Sequence, residues 1–452
     1  MALYDPINAA ALKPSLETLL ARAKHYGATS ADAVATHGRS SAIVVRGGEL
    51  EDVDNSEGRD IGLRVLVGNR QACVSSSDIS NGSIDQLAER AVAMAKLAPE
   101  DPYCGLADES QLDTHNTDLQ LCDDTQMTPS QLKARALDVE AAALAVEGVQ
   151  QAEGANASHA SSAIYFMTSH GFSQGWTSSR HGLSVSAISE HDGAMERDYD
   201  YDGARWFEDL KTPEAVGRLA GERTIARLGS KQMASGAMPV MFDQRVSGSL
   251  VAAMVGAITG TSIARGVSYL KDKMGERLFS SDIQIIDNPL MPRGHGSRPY
   301  DGEGIMPATR HLIKDGVLQT WLLNCSSARQ LGLTTTGHAT RGIGSPPGVS
   351  ATNSYMENGT KTRAELMQDV GEGLLITEMF GPSLNSNTGD YSVGVAGFKI
   401  ENGVAAYPVS EITIAGNLLE MYKTLIPAND LAFDAATVAP SVLTEGLTIA
   451  GQ

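Results

Sequence analysis

The chain has 452 residues, of which 42% are hydrophobic and 20% are charged, a composition typical of a globular protein with two or three domains. It contains 54 Asp and Glu residues against 35 Lys and Arg, so its formal net charge is −19. An acidic surface of this kind repels phosphate backbones and anionic membranes. The composition therefore argues against nucleic-acid and membrane partners and favours neutral or basic peptides.

The cysteines and the N-terminus predict a cytoplasmic protein. Cys73, Cys104, Cys122 and Cys325 form no CxxC pair, which favours reduced thiols in a reducing compartment. The N-terminal residues lack a basic segment followed by an apolar one, so we expect no secretory signal. The most apolar helical stretch, residues 248–261, is too short to span a bilayer.

Residues 1–228 predict one α+β domain in which a helix–sheet–helix unit occurs twice. The first unit, about residues 13–97, begins with a helix that stops at Gly27 and closes with a helix over 84–97. Strand-like runs lie between these helices, with turns at Gly47-Gly48 and Gly68-Asn69. The runs span residues 31–36, 42–46, 61–67 and 71–75.

The second unit, about residues 129–228, repeats this order. Its first helix spans 129–146 with a proline in the first turn, and its closing helix spans 212–228. The strand-like runs between them cover residues 149–155, 162–167, 183–189 and 194–199, the last two joined through Asp192-Gly193. We therefore expect residues 13–97 and 129–228 to superpose as two copies of one unit.

The segment between the two units is strongly acidic. Residues 97–132 contain eight acidic residues and no Lys or Arg. A long segment of this composition is typical of a solvated linker or of a mobile functional loop. We interpret residues 98–128 as a linker and not as a lid.

Residues 238–452 predict a second domain that is rich in antiparallel sheet. Short strand-like runs are joined by Gly-rich turns, as at Asp315-Gly316 and Asn402-Gly403. Helices are expected over 245–258, 362–371 and 414–425. The fold class is therefore α+β, with a duplicated helix–sheet–helix N-terminal domain followed by an antiparallel-sheet-rich C-terminal domain.

One acidic motif has the opening of a calcium loop. Asp198, Asp200 and Asp202 precede Gly203, and Asp209 occupies the twelfth position. The incoming segment reads as a strand where a calcium loop needs a helix, and the twelfth residue is not the usual glutamate. We favour three acids that share one solvated face of a strand and hold no calcium.

A second motif, Gly171-Phe-Ser173-Gln-Gly175, fits the nucleophile elbow of serine hydrolases. The elbow needs a helix directly after the serine, and the residues that follow read as another strand. A β-turn is the better interpretation, although a hydrolase acting through Ser173 stays open. None of the histidines has a second His or Cys at metal-ligand spacing, and neither HExxH nor HExxxH occurs, so no metal site is expected in this chain.

Five stretches of the second half carry a specific resemblance. They read PVMFDQRVSGSLVAAMVGAITGTSIARGVSYLKDKMG, SRPYDGEG, GVLQTWLLNCSSARQLGL, TGDYSVGVAGFKIENG and YPVSEITIAGNLLEM. They are similar to the TldD/PmbA family, and within it to the TldE/PmbA type that lacks the HExxxH zinc motif. The first half fits the family through RDIGLRVLVGN.

The resemblance places a zinc-binding helix of the family on residues 248–257. The scaffold positions of that helix match at Gly248, Leu250, Val255 and Gly256. Its two histidine positions are Ala252 and Ala257, and its glutamate position is Ala253. No cysteine follows Cys325, so the distant cysteine ligand is missing as well. A catalytic zinc needs three protein ligands and an acid–base group, and alanine supplies neither.

The resemblance implies a non-catalytic subunit of a cytosolic zinc metallopeptidase complex. Its expected partner is a TldD-type subunit that carries the zinc, and alone the chain is expected to form a homodimer. The expected substrates are unfolded or leader peptides. Family roles include maturation of a peptide antibiotic, turnover of an antitoxin and modulation of DNA gyrase, and nothing in the sequence selects among them. A self-contained hydrolase, through Ser173 or a metal site across a homodimer, and a pure scaffold remain alternatives.

Polar residues among glycines are the candidate peptide contacts, because backbone can approach a ligand closely there. These candidates are Arg298, Tyr300, Asp301, Glu303, Asp390 and Tyr391. For Arg298 an equal alternative is that it pairs with a carboxylate and pins a loop.

Overall fold

The computed structural model describes residues 6–113, 115 and 117–451, and it has the predicted α+β class. The helices are α1 (Lys13–Tyr26), α2 (Asn81–Leu97), α3 (Pro129–Leu144), α4 (Pro213–Ala226), α5 (Gln244–Ala257), α6 (Gly260–Ala264), α7 (Cys325–Leu331), α8 (Arg363–Val370) and α9 (Leu418–Thr424). The first strands are β1 (Ser30–Arg46), β2 (Glu49–Val67), β3 (Arg70–Ser76), β4 (Gln151–Thr168), β5 (Ser173–His191) and β6 (Ala194–Ala204).

The remaining strands belong to the second half. They are β7 (Gly236–Ala237), β8 (Val240–Phe242), β9 (Ile285–Asp287), β10 (Arg310–Lys314), β11 (Val317–Leu318), β12 (Ala339–Thr340), β13 (Gly348–Val349), β14 (Ser354–Met356), β15 (Gly373–Leu384), β16 (Asp390–Glu401), β17 (Val404–Asn417), β18 (Ile426–Pro427), β19 (Thr437–Val438), β20 (Val442–Thr444) and β21 (Thr448–Ala450). None of the helices in the described part of the chain is long and apolar enough to cross a membrane.

The first half forms one six-stranded antiparallel sheet in the order β3-β2-β1-β4-β5-β6. Each half of this sheet is preceded and followed by a helix, and β1 and β4 pair at its centre. Helices α1 and α2 cover one end of the sheet, and α3 and α4 cover the other. The superposition of the two units stays a prediction.

The strands at the centre of this sheet are longer than the sequence indicates. The runs expected at 31–36 and 42–46 are one strand, β1, and those at 149–155 and 162–167 are one strand, β4. Both strands pair with two neighbours throughout their middle sections, where the residues are small, polar and only partly covered. Pairing on both sides therefore maintains strand geometry where the side-chain pattern is interrupted.

The turns follow the predicted positions. Gly27 ends α1 in the left-handed conformation, with φ of 103°, and Gly47 and Gly48 have φ of 60° and 77°. Asp192 and Gly193 have φ of 51° and 81° in the turn between β5 and β6. These conformations are easiest for Gly and Asp, which explains why the turns were visible in the sequence.

The middle part of the acidic segment between the two units is partly buried, so the expectation of a solvated segment is wrong there. Leu119 and Leu121 are buried, and the carbonyl of Leu121 accepts a hydrogen bond from the backbone N–H of Ser179 at 3.0 Å. The Asp113 N–H donates to the carbonyl of Gly304 at 2.8 Å. Apolar residues spaced among the acids thus attach the segment to both halves of the molecule.

The second half contains an eight-stranded sheet, in the order β18-β20-β8-β15-β16-β17-β21-β7, and a five-stranded one, β11-β10-β9-β14-β19. The expected helix at 414–425 is wrong in its first part, because residues 404–417 form β17. Ile412 and Ile414 are buried and Thr413 and Ala415 are exposed, which is a period of two and therefore a strand. Helix α9 begins only at Leu418.

An ion-pair network joins the two halves through β6. Asp198, Asp200 and Asp202 lie on β6 as predicted, but the expected solvated face is wrong because Asp198 and Asp200 are buried. Arg245 of α5 donates to Asp198 at 2.7 Å, and Arg223 of α4 donates to Asp200 at 2.6 Å. Buried carboxylates need partners of this kind, so Asp198 attaches α5 to the first half of the chain and Asp200 attaches α4 to β6.

Candidate functional site

Helix α5 carries Ala252, Ala253 and Ala257, the positions that the resemblance assigns to the ligands and base of a zinc helix. It begins at Asp243, whose side chain accepts from the Arg245 N–H at 3.0 Å, a common helix-capping arrangement. Its apolar residues, such as Leu250 and Met254, point into the main core of the second half. The opposite face presents Ala252 to solvent.

The residues of this face do not fit a zinc ion. Ala252 is exposed, Ala253 is half-buried and Ala257 is buried, and each offers only a methyl group. The Oη of Tyr269 donates to the Ala253 carbonyl at 3.5 Å. Within the described residues, no group of three or more His, Cys, Asp or Glu side chains is placed to hold a metal ion.

The loop that contains Asp301 and Glu303 lies between the two halves of the molecule. Asp301 is almost fully buried, and its carboxylate accepts hydrogen bonds from the N–H groups of Glu303 at 2.8 Å, Ile305 at 3.0 Å and Ala339 at 3.0 Å. A carboxylate that accepts several backbone N–H groups stabilises a tight turn. Asp301 is thus a structural residue of this loop.

Glu303 lies beside Asp301 and is 2% exposed. One of its carboxylate oxygens accepts the N–H of Cys325, the first residue of α7, at 2.8 Å. Burial and then the charge of Asp301 raise the pKa of Glu303 to about 7, against the opposing effect of the Arg64 guanidinium. A carboxyl with a pKa this high can gain or lose a proton near neutral pH.

Glu303 forms part of the wall of a cleft of about 430 Å³. The cleft is bounded by β2 and β3 of the first half and by α6 and α7 of the second half. Its polar wall residues are Arg64, Gln71, Thr261, Arg265, Glu303, Asn324, Ser326, Ser327 and Gln330. Of the predicted contacts, only Glu303 is part of this wall.

The other predicted contacts lie elsewhere. Arg298 donates to the carbonyl of Ser350 at 3.3 Å. It forms no ion pair with a carboxylate among the described residues, although the charges of Asp301 and Asp287 act on its guanidinium. Tyr300 is buried, and its Oη donates to the carbonyl of Gln174 at 2.9 Å. Whether these residues contact a peptide stays a prediction.

Asp390 and Tyr391 lie on β16, away from the Asp301 loop in the sheet of the second half. Asp390 is exposed and accepts from Thr388 Oγ1 at 2.7 Å and from Asn417 Nδ2 at 3.0 Å. Tyr391 is buried, which raises its pKa to about 12. The structure therefore does not bring the six predicted residues into one site, and their peptide contacts also remain untested.

Sequence reasoning missed Arg64 and Gln71. Arg64 stands between the buried residues Leu63 and Val65 and is itself 3% exposed. Its guanidinium forms an ion pair with the buried carboxylate of Asp32. An arginine inside an apolar strand is rarely buried without a partner, so the position of Arg64 between Leu63 and Val65 predicts a buried ion pair.

Ser173 has the surroundings expected of a turn residue. It begins β5 directly after the turn at Gly171, whose φ is 98°, and a strand follows it where a nucleophile elbow has a helix. Its Oγ lies 3.1 Å from Tyr165 Oη.

Another cleft, of about 1180 Å³, lies between residues 117–128 and the middle of β4 and β5. Its wall includes Arg39, His159, Trp176, Trp206 and Arg293. Burial, and then the neighbouring His181, lower the pKa of His159 to about 4, so the imidazole is neutral at pH 7. Among the described residues of its wall, no hydrogen bond joins His159 to a serine or cysteine, as a nucleophile–base pair would need.

Family profiles match along nearly the whole chain: PmbA/TldA metallopeptidase domain 1 at residues 31–95, the central domain at 122–228 and the C-terminal domain at 235–451. The chain belongs to the PmbA/TldD family of metallopeptidases.

Relatives from two bacteria support this assignment. The chain is 37% identical to metalloprotease PmbA of Escherichia coli, over 91% of this chain and 90% of the relative. It is 32% identical to a PmbA homologue of Haemophilus influenzae, over 94% and 92% of the two chains.

Solved structures show the same fold. A protein from Bacteroides thetaiotaomicron superposes with a TM-score of 0.90 at 25% identity, covering 97% of this chain and 99% of the other. TldE from Thermococcus kodakarensis superposes with a TM-score of 0.87 at 18% identity, covering 97% and 100%. At this identity the second comparison supports the fold alone.

Proposed function

We propose that this chain is the non-catalytic, TldE-type subunit of a cytoplasmic zinc peptidase. In this proposal a TldD-type subunit, the sister subunit, carries the zinc, and the complex cleaves unfolded or leader peptides. One observation carries the proposal: α5 keeps Gly248, Leu250, Val255 and Gly256 of the family helix while methyl groups replace its ligands and its base.

The physical role proposed for this chain is to shape the site of its partner. A subunit without ligands can still raise activity, because it can exclude water from the reaction and hold the peptide near the zinc of the sister subunit. The clefts of this chain have the dimensions for such contacts, and its negative charge favours neutral or basic peptides. Without the sister subunit we expect a homodimer.

The test combines the purified chain with the sister subunit on an unfolded peptide. We expect cleavage only in the mixture and complete loss when the zinc ligands of the sister subunit are replaced. Ser173→Ala in this chain should leave the activity of the mixture unchanged. Cleavage by this chain alone, free of contaminating protease and surviving Ser173→Ala, would contradict the proposal.

Metal analysis gives an independent check on the same assignment. Tag-free protein should contain far less than one zinc per chain, because Ala252, Ala253 and Ala257 provide no donor atoms. Restoring two histidines and a glutamate at these positions should not restore activity, because the third ligand is also missing. A value near one zinc per chain in the unmodified protein would refute the non-catalytic role.

Crosslinking separates a peptide-contacting subunit from a pure scaffold. A photoreactive residue at Ser326, in the wall of the cleft that contains Glu303, should capture a peptide trapped in the complex. The same residue at Glu420, an exposed position of α9, is the control. Capture at neither position would favour the scaffold.

A further inference from the structure

The cleft that contains Glu303 has a polar floor between the two halves of the molecule. Its volume of about 430 Å³ lies within the range of small-ligand sites. Strands β2 and β3 supply Arg64 and Gln71, and the second half supplies Arg265 and Glu303. Two acceptor groups in this cleft receive fewer hydrogen bonds than they can accept.

The first acceptor is the side-chain oxygen of Gln71. Its amide nitrogen donates to Asp101 Oδ2 at 3.4 Å, which sets the orientation of the amide because a carboxylate accepts only from the nitrogen. The oxygen, Oε1, is buried and accepts no hydrogen bond from the described residues. A buried acceptor left in this state costs about 1–3 kcal/mol.

The second acceptor is the carboxylate of Glu303. One oxygen accepts the N–H of Cys325, and the other accepts from no N–H group of the described residues. The groups that face this carboxyl are Asp301, Arg64 and Cys325, whose thiol is only a weak donor. Asp301 is satisfied by three backbone N–H groups, so it does not compensate the neighbouring acid.

The cations of the cleft do not neutralise these acceptors directly. The Nε of Arg64 donates to the buried carboxylate of Asp32, and the two side chains form an ion pair. Arg265 is exposed at the rim, and its Nε donates to the carbonyl of Thr261 at 3.1 Å. Arg64 therefore acts on Glu303 through its charge and not through a hydrogen bond among the described residues. The wall also carries the hydroxyls of Thr261, Ser326 and Ser327 and the amide of Gln330, and the rim carries the positive charge of Arg265.

We infer that this cleft binds the free amino terminus of a peptide. The α-ammonium donates to Glu303 and to Gln71 Oε1, and the following peptide carbonyls face Arg265 at the rim. An ammonium group has three N–H donors, which matches two acceptors that lack them. The inference rests on the proposed function only in taking peptides as the ligands of this chain.

The test measures binding of a fluorescent tetra-alanine amide, labelled at its C-terminal end, to the purified full-length chain. We expect acetylation of its amino terminus to weaken binding at least tenfold, and Glu303→Gln to do the same. Gln71→Leu should weaken binding a few-fold. Glu420→Gln, on the exposed surface of α9, is the matched control and should leave binding unchanged.

Equal binding of the free and acetylated peptides would overturn the inference, and so would equal binding by the wild type and Glu303→Gln. Thermal unfolding of each variant confirms that it is folded. The amide introduced by Glu303→Gln retains an acceptor for the N–H of Cys325, so this variant preserves the start of α7.

The pH dependence provides a second readout. Glu303 must be ionised to hold an ammonium, so binding should strengthen from pH 6 to pH 7.5 and weaken above about pH 8, where a peptide amino group loses its proton. Glu303→Gln should lose the rise on the acidic side and keep the fall on the basic side. Identical profiles for the two proteins would contradict the assignment.

These results are separable from the proposed function. If the mixture with the sister subunit cleaves peptides but this chain shows no preference for a free amino terminus, only the inference fails. If binding is as expected but the mixture does not cleave, the proposed function fails instead.

Discussion

Three positions of α5 and the loop around Asp301 differ in their polar groups. The side chains of Ala252, Ala253 and Ala257 on α5 are methyl groups. The loop buries Asp301 and Glu303 almost completely, although burying a carboxyl group is unfavourable without partners. The three α5 positions therefore carry no ionisable group, whereas the loop buries two of them at a cost in stability.

The two buried carboxyl groups of the loop differ in how many hydrogen bonds they accept. Asp301 accepts three backbone N–H groups, so its burial is explained by the turn that it stabilises. Glu303 accepts only one backbone N–H, that of Cys325 at the start of α7, and this single bond does not explain why the whole carboxyl group is buried. A buried group that is incompletely satisfied is expected at a functional site, and this difference is why we place the ligand site at Glu303 and not at α5.

The largest effect is expected from Asp301→Ala. The substitution leaves three buried N–H groups without an acceptor and should destabilise the protein by about 4 kcal/mol. Urea unfolding measures the loss. Asp390→Ala, which removes an exposed acid of β16, is the control and should have a much smaller effect. Equal losses of unfolding free energy in the two variants would show that Asp301 stabilises the fold no more than the exposed Asp390 does.

Glu303→Gln should change the pH dependence of stability. The pKa of Glu303 is about 7 in the folded chain against an ordinary value of 4.5, so the folded state retains a proton that the unfolded state releases between these values. The associated stability is complete below pH 4.5 and is lost as the pH rises to 7, by about 3 kcal/mol. The free energy of unfolding, measured for both proteins at pH 5 and pH 8, should fall less between these pH values in the variant than in the wild type. Parallel declines would show that Glu303 does not titrate as described.

Two glycines of α5 separate packing from helix propensity. A Cβ at Gly248 would lie 2.8 Å from the backbone oxygen of Thr437, whereas a Cβ at Gly256 would meet no atom within 4 Å. Gly248→Ala should therefore destabilise the chain by about 1–2 kcal/mol, and Gly256→Ala should stabilise it by about 0.5 kcal/mol. Melting temperatures measure both, and a stabilising Gly248→Ala would indicate that this close approach does not constrain α5.

The smallest effect is expected at Ala252. Because this residue is exposed, Ala252→Lys should change the free energy of unfolding by no more than about 0.5 kcal/mol. If the α5 face contacts the sister subunit, the same variant should weaken assembly, which analytical ultracentrifugation would detect. A large loss of stability in the isolated chain would instead assign a structural role to this face.

The amino-acid sequence is enough to predict the fold class, most of the helices and the tight turns. Gly27, Gly48 and Gly193 mark positions of positive φ, and the alanines of α5 lack donor atoms in any conformation. The local pattern is misleading in two places. It predicts a helix from Ile414, which lies on a strand, and it predicts a solvated face for Asp198 and Asp200, which are buried.

Which polar residues lie close together depends on how the two halves of the chain pack. Arg64 and Gln71 of the first half approach Glu303 of the second half because the two halves pack together. A strand pattern cannot specify that contact, since it records which face a residue occupies and not what covers that face. Burial likewise separates Asp301 from Glu303: the two stand two positions apart in a glycine-rich stretch, but the folded chain satisfies one carboxylate and leaves the other incompletely satisfied.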